Sequence, residues 1–451
     1  MVEASNKAAA FAFTRPMLDD LARLALDHAA QQGATACEVD VSESIGQTVN
    51  VRRQDVDTIE YNRDKGLGVT VYLGQRRGHA SSSDFSAAAV RETVEAALAI
   101  ARYTAADDCA GLPDVELLAT QSPDLDLYHP WPVSVPEAID LAKRCEQAAF
   151  DVSPLITNSE GATVSTQQSQ FVLANSLGFM AGYPSTQHFV ACSAIAGESE
   201  QMQRDSWYTA SRDPAKLAAA ERIGDYTARR ALARLGSRKL TTRKCPVIFE
   251  APIALSLIGN LTHAISGGAL YRKTTFLQDS LGQRLFPAFV NIDERPHLRG
   301  GMASAAFDSD GVATHDRALV KDGVLQGYLL STYAARKLGM RPTGNGGGAH
   351  NLLVTPGKHD FAGLLKAMGS GLLVTELMGQ GVNYLTGDYS RGAAGYWVEN
   401  GVIAYPVAEI TIAGNLRELF AGIVAIGNDV DRRGGKQVGS ILLEQMTVAG
   451  N

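Results

Sequence analysis

The chain has few cysteines and no pairing pattern among them. Cys37, Cys109, Cys145, Cys192 and Cys245 are scattered through 451 residues, without a CxxC motif. An odd, dispersed set argues against a disulfide framework and fits a reducing compartment. No apolar run reaches the ~18 residues that a membrane-spanning helix needs. The N-terminus lacks a basic segment followed by an apolar core, so no secretory signal is read there. Together these absences lead us to expect a cytoplasmic protein with no membrane association. A basic face is missing too: the net charge is −7, and Arg229-Arg230 and Arg432-Arg433 read as short solvated patches. Direct nucleic-acid binding is therefore not expected.

Several catalytic landmarks are also absent. There is no GxSxG elbow, and Gly357-Lys358 is followed by His359 rather than the Ser or Thr of a phosphate-binding loop. Gly344-Asn345-Gly346-Gly347-Gly348-Ala349 loosely fits a dinucleotide glycine pattern. It follows no clear strand and opens no clear helix, so it reads as a loop. The 9 histidines are dispersed and none lies in HExxH. Asp293, Glu294 and His297 lie close together and read as a loop ion cluster rather than a metal site.

What is present is an ordinary globular composition, 45% hydrophobic and 20% charged, in a chain long enough for two domains. Residues 1–240 read as an N-terminal α+β domain. Pro16 opens a helix closed by Gly33, alternating segments follow between Cys37 and Leu73, and a second helix starts after Ser86. The order recurs from Pro136, through short strands, to a helix over about Asp213–Leu235. This reads as two helix–meander–helix units and a candidate internal duplication, joined by a Pro- and Asp-rich connector over Leu112–Pro132. Residues 241–451 are glycine-rich and read as a mainly antiparallel β domain with two or three helices. Asp322-Gly323 and Asn400-Gly401 are its hairpin signals, and Pro252–His263 is a helix buried within it. The fold class is thus α+β.

The most unusual stretch runs from Gly387-Asp388-Tyr389-Ser390-Arg391-Gly392, through Glu399-Asn400-Gly401, to Thr411–Leu416. Glycine and small residues stand where a plain β-core would use valine, which implies either tight turns or close approach of another backbone. Arg391 has the planar fork that clamps a carboxylate, although internal pairing with Asp388 is the expected arrangement. Ser390 would need a base to act as a nucleophile, and none is adjacent in sequence.

The chain resembles the PmbA (TldE) branch of the TldD/PmbA family, which also carries the older name of modulators of DNA gyrase. The resemblance spans essentially the whole length. It rests on Gly66–Val69, Gly74–Gly78, Lys321–Leu330, Thr343-Gly344-Asn345, Leu377-Met378-Gly379, Val382-Asn383, Thr386–Gly392 and Thr411–Leu416. It implies a metallopeptidase system acting on small or unfolded peptides; a peptide poison of gyrase as substrate would account for the older name. In the TldD branch a helix carries HExxxH, two histidines and a C-terminal cysteine hold zinc, and the glutamate serves as base. Placed on that motif, Ile258 stands at the first histidine, Gly259 at the glutamate and His263 at the second histidine. No cysteine follows Cys245.

The resemblance thus implies no catalytic or metal residue and no cofactor in this chain, with zinc held by a TldD-type partner. It places Asn345, Gly346, Asn383, Asp388, Ser390, Arg391 and Asn415 at a substrate cleft or subunit interface. The expected function is a non-catalytic subunit of a heterodimeric zinc peptidase. The alternatives are a stand-alone homodimer that binds peptides by strand addition, or an enzyme using Ser390.

Overall fold

The computed structural model describes residues 11–450. Helix α1 (Arg15–Gln31) carries proline in its first turn and is followed by β1 (Ala36–Arg52), β2 (Asp55–Leu73) and β3 (Arg76–Ser82). Helix α2 (Ala87–Tyr103) is capped by Ser86, whose side chain accepts from the Ala89 amide. The order then recurs with α3 (Val135–Phe150), β4 (Ile156–Asn175), the short β5 (Met180–Ala181), β6 (Pro184–Ala196), β7 (Gln203–Ser211) and α4 (Ala220–Ala233).

The two units form one sheet in the order β3-β2-β1-β4-β6-β7, with β1 antiparallel to β4 from Glu38↔Asn175 to Val51↔Ala162. All four helices cover one face. Leu18, Val39, Val69 and Val94 build one core beneath α1 and α2; Ala142, Val164, Val190 and Ile223 build a second beneath α3 and α4. The sequence divides β1 and β2 into shorter strands, and the structure corrects this. Glu43 sits at an inward position of β1 and interrupts the apolar alternation. It stays there because its carboxylate accepts from the Ala12 and Phe13 amides at 2.7 and 3.2 Å. In β2, residues 55–65 are exposed on both faces.

The C-terminal part begins with β8 (Arg243–Phe249), α5 (Ala251–Ala264) and α6 (Gly267–Tyr271). Next come β9 (Ile292–Glu294), β10 (Arg317–Lys321), β11 (Val324–Leu325), α7 (Thr332–Leu338) and β12 (Leu352–Val354). Helix α8 (Phe361–Met368) leads into β13 (Gly371–Met378), β14 (Val382–Asn383), β15 (Asp388–Glu399) and β16 (Val402–Asn415). The chain closes with α9 (Leu416–Ala421), β17 (Ile423–Ile426), β18 (Lys436–Gln437) and β19 (Ile441–Ala449). Helices α5 to α9 exceed the two or three read from sequence. Those missed, α6, α7 and α9, span one or two turns and leave no periodicity to find. Each has a side-chain cap, from Ser266, Ser331 and Asn415.

Strand β13 pairs with both β8 and β15, while β8, β19, β16 and β15 are neighbours in turn. The sheet therefore closes into a ring, parallel only between β8 and β13. Both hairpin signals hold, with positive φ at Asp322 and Gly323 and at Asn400 and Gly401.

The glycine-rich stretch now has a physical cause. A Cβ on Gly395 would lie 1.9 Å from the Leu373 carbonyl oxygen of β13, and one on Gly381 would lie 1.7 Å from that of Ser390. The close approach is made by the domain's own backbone. Gly395→Ala should therefore lower stability by about 1–3 kcal/mol, the usual cost of overpacking, read as a reduced midpoint in urea unfolding.

Candidate functional site

Helix α5 has two unlike faces. Ala254, Leu257, Ile258, Leu261 and Ala264 are buried against the ring. On the other side Pro252, Ser256, Gly259 and His263 share one stripe, at the spacing that stacks residues along a helix. The "buried helix" of the sequence is therefore buried on one side only, and its free stripe runs between two cavities.

At the C-terminal end of the stripe, a cavity of about 380 Å³ is lined by Thr262, His263, Ser266, Leu329, Asn345 and Gly348. The exposed His263 ring lies 3.8 Å, centroid to centroid, from the ring of Tyr384. The Tyr384 hydroxyl donates to Asn260 Oδ1 at 2.9 Å. Partial burial, and then the Arg272 charge, hold the His263 imidazolium below its ordinary range, which favours the neutral ring. Ile258 is 3% exposed and belongs to the core. A Cβ on Gly259 would meet nothing within 4 Å, so the stripe has open space at its middle.

The glycine-rich loop 344–349 forms the cavity wall, fixed by Asn345. This buried side chain accepts from Arg317 at 2.8 Å and from Thr343 at 2.7 Å, and donates to Glu294 at 2.8 Å. Glu294, 1% exposed, also pairs with Arg317. It is therefore a structural carboxylate, and the sequence cluster Asp293-Glu294-His297 is resolved into separate roles. The buried Gly346 amide donates to Asp308 at 2.7 Å, and a Cβ there would lie 3.0 Å from the Asp308 and Asp310 carboxylates.

Behind this loop, a cavity of about 520 Å³ separates the C-terminal part from the uncovered face of the first sheet. Glu38, Asp308, Phe171, Tyr183 and Phe307 line it. Burial, reinforced by Asp310, pushes Glu38 and Asp308 each up to about 7.

The remaining expected residues divide by strand face. Asp388 and Ser390 are exposed on one side of β15; Tyr389 and Arg391 lie on the other. Asp388 and Arg391 are an odd number of residues apart on a strand, so the expected internal pair does not form. Asp388 instead accepts from Thr386 at 2.7 Å and from Asn415 at 3.2 Å, which holds it below the usual carboxylate range. Asn415 caps α9 by accepting from the Arg417 amide, and Asn383 accepts from the Leu385 amide. This group is thus a turn-and-cap cluster. Ser390 forms no hydrogen bond to a histidine among the described residues.

Arg391 lines a cavity of about 390 Å³ at the N-terminal end of α5, together with Trp207, Arg230, Arg234, Ser256 and Glu376. The sequence missed this place because it read the arginine pairs as solvated, and the structure corrects that reading. Arg230 is 13% exposed and pairs with Asp205 and Glu250; Arg433 is 16% exposed and pairs with Asp431. Neighbouring residues on a helix point in different directions, so Arg229 remains solvated, paired with Asp225; Arg432 is exposed as well.

The whole arrangement matches known proteins. Residues 37–101, 128–235 and 242–450 match domain 1, the central domain and the C-terminal domain of the PmbA/TldA metallopeptidases. The chain belongs to that metallopeptidase family. It is 50% identical to the metalloprotease PmbA of Escherichia coli over 97% of each chain. It is 20% identical to a metalloprotease TldD homologue of Buchnera aphidicola over 82% of this chain and 80% of that one. A Bacteroides thetaiotaomicron crystal structure described as a modulator of DNA gyrase superposes with a TM-score of 0.91, at 27% identity, covering 96% of this chain and 99% of that one.

Two outcomes test these environments. Asn345→Ala leaves Glu294 and Arg317 short of partners and should cost about 1–3 kcal/mol for each orphaned group, measured by urea unfolding. Because Glu38 is raised from 4.5 to about 7 in the folded state, its contribution is fully present below pH 4.5 and is lost as pH rises through about 7. Glu38→Gln should accordingly raise the melting temperature above neutrality, with a smaller gain in mild acid.

Proposed function

We propose that this chain is the peptide-holding, non-catalytic subunit of an intracellular zinc-peptidase pair formed with a TldD-type chain. One observation carries the reading: the donors on α5. Where the metal-binding branch has two histidines and a glutamate, this chain has a core-packed isoleucine, a glycine and one imidazole stacked on Tyr384. A lone imidazole is too few donors for a zinc site, and no carboxylate stands at the base position. These residues do not fit the metal. What α5 offers instead is an open stripe between two cavities, suited to an extended chain.

The open edge of the first sheet supports a partner. Among the described residues, 55–66 of β2 pair only with β1, because β3 covers only Leu67–Leu73. Val56, Ile59 and Tyr61 are exposed along that edge. Unpaired backbone beside exposed apolar side chains is a pairing surface. The alternative, a peptide-binding homodimer, uses the same edge with a second copy.

The purified chain should contain no stoichiometric zinc and cleave no peptide, and cleavage should appear on mixing with a TldD-type chain. One tightly held zinc per chain, found by elemental analysis, would sink the reading. A homodimer that binds peptide and ignores the TldD-type chain would favour the alternative. Ile59→Lys on the open edge should weaken assembly without lowering the melting temperature, as measured by analytical ultracentrifugation.

A further inference from the structure

Five arginines gather at the cavity at the N-terminal end of α5. Arg204, Arg230, Arg234, Arg391 and Arg433 line it. Four of them are matched: Arg204 with Glu160, Arg230 with Asp205 and Glu250, Arg234 with Asp205 and Glu376, and Arg433 with Asp431. Arg391 forms no ion pair among the described residues, and its buried Nε, beside the Tyr389 hydroxyl, makes no well-aligned hydrogen bond. A buried donor left open is costly and calls for an explanation. The dipole of α5 adds positive potential at the same end, and Trp207 and Tyr208 provide flat walls.

We propose that Arg391 binds a carboxylate of a peptide lying along the free stripe of α5. This rests on the reading of α5 as a peptide-holding helix and adds an anchor to it. Arg391 is the one guanidinium of the five without a carboxylate partner, and its fork fits that planar group. From Pro252 to His263 the helix rises about 16 Å, the length of about five extended residues. A peptide anchored at Arg391 therefore crosses the open space at Gly259 and reaches the His263 cavity. The carboxylate comes from the peptide's C-terminus or from an acidic side chain.

The test is calorimetric titration of the full chain with three acetylated alanine–glycine peptides: a free acid, its C-terminal amide, and an amide containing one internal glutamate. The free acid should bind about tenfold or more tightly than the plain amide, a ratio equal to about 1.4 kcal/mol. Equal tightness of the glutamate peptide would show that the site takes either carboxylate, and weak binding would assign it to the C-terminus. Arg391→Gln should abolish the preference, and Arg391→Lys should retain part of it. The peptide comparison itself needs no variant, so a poorly folding substitution leaves the test intact. Equal binding of all three peptides, no binding of any, or a preference that survives Arg391→Gln would overturn the proposal. Loss of the preference in a zinc-free chain that still activates its partner would remove this anchor alone. Zinc bound to the purified chain would remove the subunit reading instead.

Discussion

The relation between the two halves of the molecule depends on a buried charge network around Arg230. Its guanidinium bridges Asp205 on β7 and Glu250, the residue that precedes α5, while Arg234 continues the chain to Glu376 on β13. Arg230 also stacks over Trp207 at 4.9 Å. Such a network adds little net stability, because desolvation offsets most of the attraction. Its geometric effect is larger: removing one partner strands a buried charge, so the elements are held in one relative position. The start of α5 is thereby fixed against the first sheet, and the cavity beside it keeps its shape.

From that fixed start, α5 can bury one face and leave the other open. Leu257 and Leu261 secure it in the ring's core. The ring in turn closes only because Gly395 lets β15 meet β13 at backbone distance. The small residues that stand out in the sequence therefore serve the scaffold. The stripe that faces the cavities carries a proline, a serine and one imidazole, and Gly259 between them has no side chain. Family membership and the lone imidazole of α5 are compatible under the proposed function, in which the stripe holds a peptide and no metal.

Much of the fold was legible because its signals are local. Pro16, Ser86 and Pro136 mark helix starts; Asp322-Gly323 and Asn400-Gly401 mark hairpins. Closure of the ring was not legible, since it rests on β13 meeting strands on either side of it. The candidate site was half legible. Ile258, Gly259 and His263 could be placed by motif spacing, and Arg391 could be singled out by its chemistry. Its partners could not, because strand faces and burial decide them: Asp388 turned away to Thr386 and Asn415. Nothing local distinguishes the buried Arg230 from the solvated Arg229, and the cavity that Arg230 lines was missed for that reason.

The central claim is that the free stripe of α5 holds an extended peptide. Amide hydrogen exchange of the full chain, with and without an unstructured peptide, tests it directly. The account predicts slowed exchange in loop 344–350, around Gly381–Tyr384 and along α5, with β2 residues 55–66 unchanged. Protection confined to the β2 edge, or none anywhere, would contradict it.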